Sequence, residues 1–142
     1  MTEKDLELLG HLRLNGREPV ASLARKLGLS RSTVQDRMRK LETTGVITGY
    51  AVKLGSSAKS TGIAALITLA IEPRQQIEVA KRVGKFAEVE TLHTVSGKYD
   101  LIAMVKSPTA EDMDGLIDRI GQIPGVTEIE TAVILSTKLD RR

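Results

Sequence analysis

Between Arg25 and Lys40 the chain sets six basic residues against a single acid, Asp36. A helix that keeps Val34, Met38 and Leu41 on its inner side turns about 100° per residue, so Ser32, Gln35, Asp36 and Arg39 point outward. Those are side chains that can read base edges in a DNA major groove. Ser hydroxyls bond several edges, Gln pairs with adenine, Arg with guanine or a phosphate, and Asp accepts from a cytosine amine. Arg31, at the leading end, can likewise bridge guanine or phosphate. A charged helix face is most often merely solvated. Three further features favour DNA here: a short preceding helix, a glycine-containing turn, and a basic excess confined to this part of the chain. Asp36 is the least convincing member, because a carboxylate beside phosphates is repulsive unless it meets a donor.

Three short helices must position that face. Thr2-Glu3-Lys4-Asp5 is a Thr-x-x-acid start, and Leu6, Leu9 and Leu12 follow at helical spacing, so a first helix is expected to about Asn15, ended by Gly16. Pro19 suits the opening of a second helix with Val20, Leu23, Ala24 and Leu27 on its apolar side, and Gly28 can take the left-handed conformation beyond its end. Ser30 offers an N-cap hydroxyl to the third helix, which Gly45 stops. Two short helices joined by Gly28-Leu29-Ser30 fit a helix-turn-helix. The β-branched and aromatic run Val46 to Lys53 reads as a strand, which makes the unit winged-helix-like. The small, polar stretch from Gly55 to Gly62 reads as flexible. The organisation expected is a DNA-binding head over 1–52, a linker over 53–62 and a second domain over 63–142.

Composition narrows the classes of function. The chain of 142 residues has no cysteine, which excludes disulfides, thiolate zinc sites and cysteine nucleophiles. Its two histidines, His11 and His93, fall in different expected domains. No metal, cofactor or catalytic triad is therefore expected, and the strand ends carry neither a phosphate-binding glycine loop nor an activated nucleophile, so an enzyme is disfavoured. Phe86, Tyr50 and Tyr99 are the only aromatic rings, too few to stack unpaired bases, and double-stranded DNA is the better partner than RNA or single strands. Residues 1–55 hold ten Lys/Arg against six Asp/Glu, whereas residues 56–142 hold eleven against twelve. Only the first part is built for an anion. The longest apolar run, Ile63 to Ile71, is about half of the ~20 residues a membrane span needs. With no basic-then-apolar leader at the N-terminus, a cytoplasmic protein without a membrane partner is expected.

The remainder alternates strand, helix, strand, strand, helix, strand. Ile63 to Ile71 is a strand, Pro73 opens a helix with Ile77, Ala80 and Val83 on its apolar side, and Val89 to Ser96 is the next strand. Gly97-Lys98 turns the chain into Leu101–Lys106, Ser107-Pro108-Thr109 starts a helix with Met113, Leu116, Ile117 and Ile120, and Thr127 to Ser136 is the last strand. This βαββαβ order is the ferredoxin-like plan, with both helices on one face of the sheet. The fold class is α+β: a helix-turn-helix head and a ferredoxin-like domain. Two strands are apolar on both sides, Ala64, Leu66 and Ala70 backing Ile63, Ala65, Ile67 and Leu69, and Ile102 and Met104 backing Leu101, Ala103 and Val105. Since the helices cover one face only, the other is expected to be buried against a second copy in a two-fold dimer.

These pieces together resemble the Lrp/AsnC (feast/famine) transcriptional regulators along nearly the whole chain. The resemblance is carried by the run LARKLGLSRSTVQDRMRKLETTGVITGY, by the turn Gly97-Lys98-Tyr99-Asp100 before an apolar strand, and by Pro124-Gly125-Val126 with Thr131. It implies a homodimer formed through the C-terminal sheets and assembling to an octamer. It also implies an amino acid or related small-molecule effector bound between dimers, near Gly97, Lys98, Tyr99, Asp100 and Thr131. DNA contact would fall on Arg31, Ser32, Thr33, Gln35, Arg37, Arg39 and Lys40. The residue types suit these roles: Gly97 can take a positive φ, Asp100 can bind an α-ammonium, and Thr131 can bond a carboxylate. Lys98 departs from the family pattern, where an acid or small polar residue is frequent, and a cation there would favour an effector carboxylate or be simply solvated. The alternative is an architectural DNA-packaging protein or a constitutive regulator without an effector.

Overall fold

The computed structural model describes residues 1–58 and 61–142, apart from the side chain of Ser56. The chain forms two compact units, 1–58 and 59–142. Of the linker expected over 53–62, residues 59 and 60 lie outside the described residues; Ser56–Ala58 form a single 3₁₀ turn.

The first unit has three helices, α1 (Glu3–Leu14), α2 (Val20–Leu27) and α3 (Arg31–Thr43). Thr2 caps α1 reciprocally with Asp5: the Thr2 hydroxyl accepts from the Asp5 backbone N–H (3.2 Å) and the Asp5 carboxylate from that of Thr2 (3.0 Å). Two donors that the helix start leaves orphaned are thereby satisfied. Gly28 ends α2 at φ 67 and ψ 34, a left-handed conformation that costs glycine little. Its N–H and that of Leu29 return to the carbonyls of Arg25 (3.3 Å) and Ala24 (3.0 Å). Ser30 then caps α3 by accepting from Thr33 N–H (3.2 Å). The core joins Leu8 and Leu12 to Leu23, Ala24 and Leu27 and to Val34 and Leu41. Each large side chain withdrawn from water contributes about 1.5–3 kcal/mol. The inner side of α1 centres on Leu8 and Leu12; Leu6, expected to share it, is 57% exposed.

The strand expected over Val46–Lys53 does not form. A strand needs a neighbour for its backbone groups, and among the described residues no strand pairs with this segment. It folds back instead: Ile47 N–H donates to the Leu41 carbonyl (2.9 Å), Ile47 packs on the helical core, and the Tyr50 hydroxyl donates to Glu42 (3.0 Å).

In the second unit, β1 (Ile63–Ile71), β2 (Val89–Thr94), β3 (Leu101–Ser107) and β4 (Val126–Val133) form one antiparallel sheet in the order β2-β3-β1-β4. The helices are α4 (Gln76–Val83), entered through a 3₁₀ turn at Pro73–Gln75, and α5 (Ala110–Gly121). This is the ferredoxin-like arrangement. One sheet face, with Ala65, Ile67, Leu69, Leu101, Ala103 and Val105, is buried against Val79 and Val83 of α4 and Met113, Leu116 and Ile120 of α5. Ile77, expected in this core, is 87% exposed. At about 100° per residue it lies ~200° from Val79, and the Val79–Val83 pair takes the inward side.

The opposite sheet face carries Ala64, Leu66, Thr68 and Ala70 of β1, with Leu66 opposite Met104 and Thr68 opposite Ile102. Leu66 is 37% exposed although it stands on a central strand. No helix of the described residues is long and apolar enough to cross a membrane.

Candidate nucleic-acid interface and ligand-binding turn

α3 presents two distinct sides. Val34 and Leu41 are buried, Met38 is half-buried, and Arg31, Ser32, Gln35, Asp36, Arg39 and Lys40 are exposed, with Thr33 half-buried at one flank. Ser30, Ser32 and Thr33 form a hydroxyl cluster at the helix start, Ser30 Oγ lying 3.2 Å from Ser32 Oγ and 2.7 Å from Thr33 Oγ1. The first turns of α2 and α3 contain no acid, whereas those of α1, α4 and α5 do. Of the two helices flanking the turn, only α3 has its positive end there, and its first turn holds no acid; at the start of α2, Glu18 accepts from the Ser22 hydroxyl (2.9 Å).

Asp36 does meet a donor, within its own helix: Arg39 Nη1 lies 3.3 Å from Asp36 Oδ1. Both side chains are more than 70% exposed, so the pair contributes little to stability. Its effect is to bias the direction of the Arg39 guanidinium. Arg31 and Lys40 have no ion-pair partner among the described residues, and they flank the Ser32–Gln35–Arg39 stripe about 90° to either side.

Arg37 behaves differently from its neighbours. It lies on the inner flank of α3, where Nη1 donates to the Thr2 hydroxyl (2.8 Å) and to Asp5 (2.9 Å). The structure thus draws one of the seven residues expected at DNA onto α1. Asp5 has its carboxyl held below the usual carboxylate range, first by the Thr2 backbone N–H and next by Arg37.

In the second unit the turn between β2 and β3 carries four of the five residues expected near an effector, Gly97, Lys98, Tyr99 and Asp100. Gly97 stands at φ 114, a conformation L side chains rarely adopt. Lys98 reaches Glu128 (3.4 Å), with its ammonium 5.3 Å from the centre of the Tyr99 ring. The Tyr99 hydroxyl donates to Glu130 (2.6 Å), and that bond, with burial and the charges of Glu128 and Glu130, pushes the phenol up to about 12. Lys98 and Tyr99 edge an open hollow lined also by Thr68, Thr94, Val95, Ser96 and Ile102.

Asp100 and Thr131 stand apart from this group. Both Asp100 oxygens are engaged, one by Ile71 N–H (2.8 Å) and one by the Gln76 side-chain amide (3.0 Å), so Asp100 ties the end of β1 to the start of α4. Thr131 pairs with Ile67 and therefore lies on the helix-covered face, while Glu128 and Glu130 lie on the open one. Within one chain, Thr131 and Tyr99 do not share a site. The partnership of Glu128 and Glu130 with the turn was missed in the sequence; their i, i+2 spacing on the last strand was the available signal. Among the described residues no group of three or more His, Cys, Asp or Glu could hold a metal ion.

Comparison with known proteins accounts for both units. Residues 1–42 match the AsnC-type helix-turn-helix domain, and residues 64–142 match the Lrp/AsnC ligand binding domain. The chain is 31% identical over 134 residues to the HTH-type transcriptional regulator LrpA of Pyrococcus horikoshii, covering 94% of this chain and 95% of the relative. Among solved structures it is similar to the leucine response regulatory protein LrpA of Mycobacterium tuberculosis, with a TM-score of 0.81 and 29% identity over 100% of this chain and 97% of the other. A transcriptional regulator of Neisseria meningitidis, solved as its L-Met complex, shares the fold at a TM-score of 0.82 and 22% identity, over 99% of this chain and 93% of that one.

Proposed function

Because this chain belongs to the Lrp/AsnC family of transcriptional regulators, we propose that it binds specific double-stranded DNA sites through α3 as a homodimer and answers to an amino acid or related metabolite. The observation that carries the DNA reading is the two-sided α3, whose buried side seats it on the head while its exposed side is hydrogen-bonding at the centre and cationic at the flanks. Ser32, Thr33, Gln35 and Arg39 read base edges. Arg31 and Lys40 hold phosphates on the two walls of the groove.

Pairing of the heads rests on the open sheet face. Leu66, Ile102 and Met104 form an apolar strip with Ala64, Ala70 and Ala132 around it, and a second copy of the same face buries it by two-fold symmetry. Leu66→Glu is expected to convert the dimer to monomers in sedimentation velocity while the circular dichroism spectrum is kept. A dimer that persists in this variant excludes the face.

The effector reading is supported by the Gly97–Asp100 turn and its hollow, and by the amino acid bound to the Neisseria meningitidis relative. Gly97, Lys98 and Tyr99 contribute from one chain. Thr131 lies on the other side of the sheet within one chain; in this reading the effector sits between copies, in dimers assembling to an octamer, and it is the Thr131 of another copy that joins them. Titration calorimetry against a panel of amino acids tests this: heat with one of them that Tyr99→Phe and Thr131→Val each abolish is expected. Silence across the panel leaves a regulator without an effector.

A further inference from the structure

The first turn of α1 touches both helices of the helix-turn-helix unit. The Lys4 ammonium donates to the carbonyl of Leu27 at the last residue of α2 (2.9 Å). Arg37, in the middle of α3, spends Nη1 on both Thr2 and Asp5, and its Nε is buried without a protein partner. The Arg37 side chain is 28% exposed and that of Asp5 15%, whereas Arg39 and Asp36 exceed 70%. Asp5 also accepts from the Thr2 backbone N–H, and the Thr2 hydroxyl accepts from that of Asp5, so the two acceptors are tied to each other as well as to Arg37. Three residues of one turn, Thr2, Lys4 and Asp5, thus brace the end of one helix and the middle of the next.

We infer that Thr2, Asp5 and Arg37 are positioning residues for DNA recognition: they fix the orientation of α3 on the head and so aim Ser32, Gln35 and Arg39 at the bases, without touching DNA themselves. A base-reading pair tolerates little misplacement, since its worth lies in two hydrogen bonds of defined direction. Phosphate contacts by flexible cations tolerate more. Loosening the brace therefore erodes sequence discrimination while leaving the number of neutralised phosphates unchanged. A side chain that bound phosphate would do the reverse.

This inference rests on the reading of α3 as the recognition helix, and the test separates the two. Using the full chain, a preferred site is selected from a random DNA pool, and binding to it and to a random duplex is followed by fluorescence anisotropy across a salt series. Asp5→Asn and Arg37→Met are each expected to lower the preference for the selected site by about tenfold, within the ~1–3 kcal/mol that one bidentate base contact discriminates. The double variant is expected to be no worse than Arg37→Met alone, and all three to keep the wild-type salt slope. If Arg37→Met unfolds the head, Asp5→Ala combined with Thr2→Val removes the acceptors while leaving α3 untouched. A salt slope shallower by about 0.9 per head in Arg37→Met identifies a phosphate ligand and overturns the inference. So does an unchanged preference in Asp5→Asn. Gln35→Ala is the control for the underlying reading: if it leaves the preference intact, α3 is not the reader, and if it alone erodes it, the brace fails while the reader stands.

Discussion

Lys40→Ala is the sharpest probe of the proposed interface. Lys40 is exposed, has no ion-pair partner among the described residues, and stands at the flank of α3 where a groove wall would lie. A lysine there is a point charge on a flexible stem, suited to phosphate more than to a base edge. Each phosphate neutralised on duplex DNA adds about −0.9 to the slope of log affinity against log salt. One Lys40 per head and two heads per dimer give a slope shallower by about 1.8 in the variant. Between 50 and 200 mM salt, a fourfold change, the disadvantage of the variant should then shrink by about 12-fold. The term is independent of sequence, so a duplex of arbitrary sequence serves, read by fluorescence anisotropy. A loss of about 0.9 instead of 1.8 would mean one head bound. Parallel salt lines for variant and wild type would refute the placement of Lys40 at a phosphate.

Two further outcomes follow from backbone and proton chemistry. Gly28→Ala meets no atom within 4 Å, so its cost is the left-handed conformation alone, about 1–2 kcal/mol, and Gly28→Asn should cost less; thermal unfolding of the head measures both. In a Tyr50→Phe background, ultraviolet titration should show the Tyr99 phenolate forming near pH 12, against about 10 for a free tyrosine. Because the folded value is the higher one, the Tyr99–Glu130 bond contributes fully below pH ~10 and is lost as pH rises through about 12. Glu130→Gln should bring the phenol back down, and a titration that ignores that change would break the assignment.

Much of this protein follows from local patterns. The cap at Thr2, the left-handed Gly28, the Ser30 cap and the Val34–Leu41 stripe each depend on residues a few positions apart, so the outward face of α3 was legible without a fold. The βαββαβ order was equally plain, because short apolar and β-branched runs bounded by glycine and proline alternate with segments whose apolar residues repeat near 3.6. What lies across the chain was not. Val46–Lys53 has the composition of a strand, but β-propensity expresses itself only beside a partner, and none pairs with it among the described residues. Ile77 and Val79 are equally apolar, and only the seat of α4 on the sheet decides that Val79 turns inward. The sharpest case is on α3 itself. Arg37 has the same charge as Arg39 two residues later, yet one is tied to Asp5, 32 positions back in the chain, and the other is left exposed. Sequence spacing sets where a side chain leaves the helix; what waits for it there is decided by packing between helices, which brings together residues that no local rule connects.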